Sequence, residues 1–355
     1  MVEVLNLHPR YTPSLIGHQT IGEQLKTLYQ ANRFPHGLLF TGAPGIGKAT
    51  FAHQLAKALL TDGMTTLGEA ATQRGAVHAL LQAGNHPDCL SVEKTIDENG
   101  KTSKDIPLEK ARSVTQFFAQ KSLANNWRIA IIDSVDDLSA KGANALLKIL
   151  EEPPEKALLI LISHNLNGVL PTLRSRTMVF GFAPLDTDQT ATVLKRIIPN
   201  HATFLSQVSQ GRPGLALGIE RLGGPTFYQA FLKLIESLAK QEVGAIYPFV
   251  ERQIFKNTTL SAEQAYDGFI DFFSTWMVMI LTQLCQGQQA KQQQEGQADE
   301  ELLAARALFA SQPAEHWVKL WFAMHQTLKE THVYSLDKKQ TLLCIFHELA
   351  GLIQR

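Results

Sequence analysis

His36-Gly-Leu-Leu-Phe-Thr-Gly42-Ala-Pro-Gly45-Ile-Gly47-Lys48, followed by Ala49-Thr50-Phe51-Ala-His-Gln-Leu55-Ala-Lys-Ala-Leu59, is the stretch that decides the fold. Residues 36–41 read as a buried strand. Phe51, Leu55 and Leu59 recur every four residues, which places them on one face of a helix. Gly42 to Lys48 between them satisfies the first seven positions of the phosphate-binding loop pattern. Glycines there let backbone N–H groups turn inward around phosphate oxygens, the helix N-terminus adds its positive dipole end, and Lys48 neutralises β/γ charge. The next position should supply a Ser or Thr hydroxyl for magnesium. It is Ala49, and Thr50 comes one residue late, turned by about 100° around the helix.

Outward from this loop the same alternation continues. Arg128 to Asp133 (RIAIID) and Ala157 to Ser163 (ALLILIS) read as buried strands. A helix between them carries Ala143, Leu146, Leu147 and Leu150 on one face and stops at Pro153-Pro154. Apolar strands alternating with helices predict a parallel sheet covered on both faces. Asp133 at its strand tip suits a metal-orienting carboxylate. Ser134 follows where hydrolysing relatives of this architecture have a Glu, and serine is a poor general base. Asp136 and Asp137 read as a turn and helix start. Pro171 to Arg174 reads as a short helix opened by proline, with Arg176 presented near its end. A planar, permanently charged guanidinium suits reaching a neighbour's phosphates, although an isolated surface arginine more often makes ion pairs.

At roughly 150 residues per domain, 355 residues suggest two or three domains. Three zones are visible: an α/β zone over 1–182, a small helical zone over 183–224 broken by Gly211-Arg-Pro-Gly214, and an all-helical zone over 225–355. The last contains the aromatic-rich Phe269 to Trp276 and a low-complexity tract from Gly287 to Glu301 that reads as a solvated loop. Lys plus Arg and Asp plus Glu are 33 each, which argues against a free-standing basic nucleic-acid binder. Cysteines 89, 285 and 344 show neither CxxC spacing nor a disulfide framework. Residues 1–13 carry charge and proline where a leader needs an apolar run. The longest apolar stretch, Trp276 to Leu284, is about half of a membrane span. The expectation is a soluble protein of a reducing compartment.

Gly42–Lys48, Asp133–Asp137, Asn144 to Pro154 (NALLKILEEPP) and Leu173-Arg-Ser-Arg176 occur in the order and spacing of bacterial clamp-loader AAA+ subunits, and the chain resembles that family. Gln82 to Asp88 resembles the matching stretch of a non-hydrolysing subunit. The resemblance implies an AAA+ P-loop domain, a small helical lid and an all-α collar domain. It implies a bacterial cytoplasmic location, ATPase and wrench-type partner subunits, and a sliding clamp and primer–template DNA reached through the complex, with no membrane. Arg176 would be the trans-acting arginine. Gly42, Gly45, Gly47, Lys48, Thr50 and Asp133 would form a degenerate nucleotide site, for ATP or ADP with magnesium if one is held. Ser163 would stand near the first-sensor position, with His164 as the other candidate, and Arg212 lies out of register for the second sensor. Little or no intrinsic ATPase is expected; the alternative is an active ATPase subunit or another replication or repair motor. The family's zinc-binding cysteine quartet is missing between Leu60 and Leu90, where only Cys89 occurs. His86 and Cys89 together are too few ligands for a structural site. Elemental analysis of the purified chain is therefore expected to find no stoichiometric zinc, and chelators to leave its stability unchanged.

Overall fold

The computed structural model describes residues 8–61, 63–65, 67, 75–95, 103, 105–122, 126–256, 260–285, 312–334 and 336–353. Two compact units divide the chain: residues 1–193 with 210–214, and 194–209 with 215–355.

The first unit is built on five strands: β1 (Gly37–Thr41), β2 (Cys89–Glu93), β3 (Arg128–Asp133), β4 (Ala157–Ser163) and β5 (Met178–Gly181). They lie in the order β2-β3-β4-β1-β5 and pair parallel throughout. The three strands legible as apolar runs are the three inner ones. Leu38, Leu39, Phe40, Ile129, Ile131, Leu158 and Ile160 are wholly inaccessible to solvent, as strands covered on both faces must be. The edge strands β2 and β5 escaped the sequence reading because they are short and mixed. Of their residues only Val92 and Phe180 are buried.

Helix α1 (Gln19–Gln30) precedes the sheet's first strand, and α2 (Lys48–Thr61) follows the phosphate-loop turn. Phe51, Leu55 and Leu59 of α2 are buried as their spacing requires, packed with Phe40, Ile160 and Phe182. On the other face, α4 (Leu108–Ala119) and α5 (Ala140–Glu151) cover Leu39, Ala130, Leu159 and Leu161. Ser139 caps α5, its hydroxyl accepting from the Gly142 N–H at 3.1 Å.

The second unit is helical among its described residues. Gly224–Ala239, Ala262–Cys285, Ala314–Tyr334 and Lys338–Ile353 are its long helices. Phe269, Phe272, Phe273 and Trp276 are all buried, packed with Phe231 and Phe346. The aromatic segment is therefore part of the unit's own core. The tract 287–301 lies outside the described residues. Among the described residues no helix is long and apolar enough to cross a membrane.

Ile160, at the middle of β4 and inaccessible to solvent, measures how much the sheet's packing contributes. Ile160→Ala is expected to lower the unfolding free energy by about 2–5 kcal/mol, read by chemical denaturation.

Candidate functional site

Parallel strands put their C-terminal tips on one edge of the sheet. The turn from β1 into α2 sits there and depends on glycine. Gly42 has φ +145°, and a Cβ on it would come within 2.5 Å of the Phe182 carbonyl oxygen. Gly214 closes over the turn from a later segment. Its N–H donates to the Gly45 carbonyl at 2.9 Å, and a Cβ on it would lie 2.6 Å from Gly45 Cα. Gly47 also has positive φ, +103°, and the His18 Nε2–H donates to the Ile46 carbonyl at 2.9 Å.

Lys48 does not extend into the turn's mouth. It is only 3% exposed, and its ammonium donates to the Gly42 and Ala43 carbonyls at 2.7 and 2.8 Å. Burial pushes its pKa down to about 8 against the pull of Asp133 and Asp136, and the nearby Arg212 charge pushes further down. Arg212 thus belongs to this edge, a placement its sequence register did not reveal. Asp133 stands at the tip of β3. Burial, then the negative charge of Glu93 at the tip of β2, push its carboxyl up to about 6 while Lys48 pulls the other way.

The groups that could assist hydrolysis are committed elsewhere. The Ser134 hydroxyl is buried and donates to Asp137 Oδ2 at 3.1 Å, and Asp137 Oδ1 pairs with Lys94 at 2.8 Å. Ser163, inaccessible at the tip of β4, donates to Asp136 Oδ1 at 2.8 Å and accepts from the Asn165 N–H at 3.0 Å. Asp136 also accepts from the His164 backbone N–H. Asp136 and Asp137, in the single turn Val135–Asp137, thus bind the sheet edge together. Ala49 offers no oxygen, and Thr50 lies one position further into α2. The donor set does not match the phosphate-loop magnesium centre: the coordinating hydroxyl is missing from its position, and Asp136 and Asp137 already accept hydrogen bonds from protein groups.

Arg176 lies elsewhere. It precedes β5, and its carbonyl oxygen would be 3.2 Å from a Cβ on Gly37, the first residue of β1. Gly37 and Gly42 are five residues apart along one strand, about 16 Å. Arg176 therefore sits on the N-terminal edge of the sheet and the phosphate-loop turn on the C-terminal edge. Its side chain is tied to its own edge, with Nη2 2.8 Å from Glu151 Oε1 and Nη1 donating to the Thr172 carbonyl at 3.0 Å and to Ser175 Oγ at 3.3 Å.

Two further clusters have structural explanations. Asp88 is buried, accepts from the Ser122 hydroxyl at 2.9 Å and faces Arg128 at 3.6 Å, whose guanidinium covers the Phe117 ring at 4.1 Å. His86 Nδ1 accepts from the Asp88 N–H at 3.1 Å, and burial pushes the Cys89 thiol up to about 12. The stretch from His86 to Cys89 therefore fastens β2 to its surroundings. Near the C-terminal edge, His8, His53 and Glu93 bring donor atoms within 4.8 Å of one another. Arg10 already supplies the cation there: its N–H and Nε–H donate to His8 Nδ1 at 3.2 and 2.8 Å, and its Nη2 lies 3.6 Å from Glu93. Arg10 Nη2 also lies 3.1 Å from His8 Nε2, which is itself 2.9 Å from Glu93 Oε2, so the guanidinium lies against both groups of this cluster.

Residues 17–186 match the family model described as DNA polymerase III, delta subunit. The match covers just under half of the chain. Over 214 residues the chain is 28% identical to DNA polymerase III subunit delta' of Pseudomonas aeruginosa, covering 59% of this chain and 63% of that one. Over 200 residues it is 30% identical to the subunit delta' of Escherichia coli, with 56% and 58% covered. Subunit gamma/tau of Mycobacterium bovis is 29% identical over 196 residues, 54% of this chain and 32% of the relative. The chain thus spans about three fifths of the delta' relatives' length. Identity alone hardly separates the delta' relatives from the gamma/tau one. Glu93 and Glu151 were missed as site residues in the sequence. Glu93 ends an edge strand with no apolar run, and Glu151 sits in the LEEPP motif without any local sign that it reaches Arg176.

The raised Asp133 pKa has a signed consequence. Between about pH 4 and 6 the folded state holds a proton that the unfolded state has lost, so stability falls as pH rises through that window. Above it the ionised carboxyl costs on the order of 3 kcal/mol. Asp133→Asn is expected to gain stability relative to wild type from pH 4 to 6, and to hold that gain above pH 7, in denaturation curves taken across pH.

Proposed function

We propose that this chain is a delta' subunit of a DNA polymerase III clamp loader. It assists ATP-dependent loading of the sliding clamp on primer–template DNA, has a degenerate ATP site of its own, and lends Arg176 to ATP held by a neighbouring subunit. The observation that carries the reading is the separation of Arg176 from the phosphate-loop turn across the length of β1. An arginine on the far edge of the sheet cannot serve the loop of its own domain, and a partly exposed guanidinium suits developing charge on a phosphoryl group presented from outside.

The partners on this reading are the gamma/tau ATPase subunits and a delta subunit, with clamp and DNA reached through the complex. Lys48 and the glycine turn hold ATP or ADP without turnover, or none. The competing reading, an active ATPase of the gamma/tau kind, needs Thr50 to recover magnesium and Asp136 or Asp137 to act as base. Both carboxylates already accept hydrogen bonds from Ser163, His164 and Ser134, which weighs against it.

Arg176→Ala is expected to be silent in the isolated chain and to lower ATP turnover in the assembled complex. An arginine finger supplies on the order of 10³–10⁵ in rate at the one site it serves, so total turnover falls partially. Clamp loading falls further if the sites fire together. Arg176→Lys should rescue poorly, because an ammonium lacks the planar fork. Lys48→Ala should leave turnover nearly unchanged. Lys48 essential and Arg176 dispensable, in steady-state assays of the complex, would favour the motor reading.

A further inference from the structure

We infer that Glu151 is a positioning residue for Arg176, holding the guanidinium in the pose from which it meets the phosphate of a neighbouring subunit. The inference rests on the trans-acting role proposed above and adds to it the group that aims the side chain.

Three anchors converge on one flexible side chain. Glu151 Oε1 takes one Nη2 hydrogen at 2.8 Å, the Thr172 carbonyl takes an Nη1 hydrogen at 3.0 Å, and Ser175 Oγ lies 3.3 Å from the same nitrogen. The anchors come from two elements, the C-terminal end of α5 and the short helix α6 (Pro171–Arg174) with its following residue. The end of α5 is itself fixed. The His36 Nε2–H donates to the Leu150 carbonyl at 3.0 Å, beside Glu151, and Pro153-Pro154 ends the helix. His36 leads directly into β1, so Glu151 is referenced to the sheet. A guanidinium has five N–H donors. Among the described residues Nε–H and the second Nη2 hydrogen meet no acceptor, and the side chain is about one-third exposed. The fork is thus gripped on one side and open on the other, an arrangement that lowers the entropy lost when an external anion is bound.

The surface ion-pair alternative makes a different prediction. An ornamental pair with both partners this exposed would leave activity untouched when broken. A pair that aims Arg176 acts on the chemical step and only through Arg176. The test uses the assembled clamp loader with its ATPase and delta subunits, magnesium-ATP as substrate, and this chain as wild type, Glu151→Ala, Glu151→Gln, Glu151→Asp, Arg176→Ala and the double variant Glu151→Ala/Arg176→Ala. Glu151→Ala is expected to lower kcat about 2- to 5-fold, the range an exposed ion pair spans, with KM unchanged. Glu151→Gln, which keeps an acceptor without charge, should fall between, and Glu151→Asp should recover part of the loss. In the Arg176→Ala background Glu151→Ala should cost nothing more. Thermal unfolding of each variant checks that the domain remains folded.

A rise in kcat on removing Glu151, an unchanged kcat, or an equal loss in the Arg176→Ala background would overturn the inference while leaving the trans-arginine reading intact. If Arg176→Ala itself is silent in the complex, that parent reading fails first. The two failures are thereby distinguished.

Discussion

Everything functional in the first unit follows from the polarity of one parallel sheet. Because all five strands run the same way, every strand exit lies on one edge and every strand entry on the other. Lys48, Asp133, Glu93, Asp136 and Ser163 are grouped by the first edge; His36, Glu151 and Arg176 by the second. The polarity is set by packing. Inner strands buried on both faces require helical crossovers, and those crossovers return the chain to the same starting edge each time. No substitution near the loop could bring Arg176 to it without dismantling β1.

On the reading proposed above, the exit edge keeps the shape of a nucleotide site without its hydrolytic chemistry. The glycine turn is intact, down to the contact in which Gly214 donates to Gly45. The charged and hydroxyl groups around it satisfy one another instead of awaiting a ligand: Lys48 on loop carbonyls, Ser163 on Asp136, Ser134 on Asp137. Burial sets the cost of this arrangement, visible in a lysine near pKa 8 and a carboxylate near 6. On the entry edge the Arg176 side chain is about one-third exposed.

Much of this was legible in the amino-acid sequence, and the reasons differ by residue. The strands over 36–41, 128–133 and 157–163 announced themselves because two-sided burial demands uninterrupted apolar runs. Cys89–Glu93 and Met178–Gly181 did not, since edge strands keep polar and exposed residues that look like loop. Ala49 and Ser134 were readable as departures from the phosphate-loop pattern because that chemistry fixes which atom must stand at each position. The Glu151–Arg176 and Asp136–Ser163 pairs were not, since residues 25 or more apart meet only through the tertiary fold. The aromatic segment Phe269 to Trp276 was equally compatible with a core and with an interface. Periodicity identifies an apolar face without naming what covers it, and here neighbouring helices of the same unit do.

The central claim is that this chain's own loop does not hydrolyse ATP and that its arginine serves another subunit's nucleotide. Turnover by the isolated, purified chain under single-turnover conditions, with labelled ATP and magnesium and enzyme in excess, tests it most directly. The account predicts no phosphate release above the rate without protein, whether or not nucleotide is retained. Magnesium-dependent release that disappears in Lys48→Ala and Asp133→Asn would contradict it, and would mean that the exit edge of the sheet is a working catalytic centre.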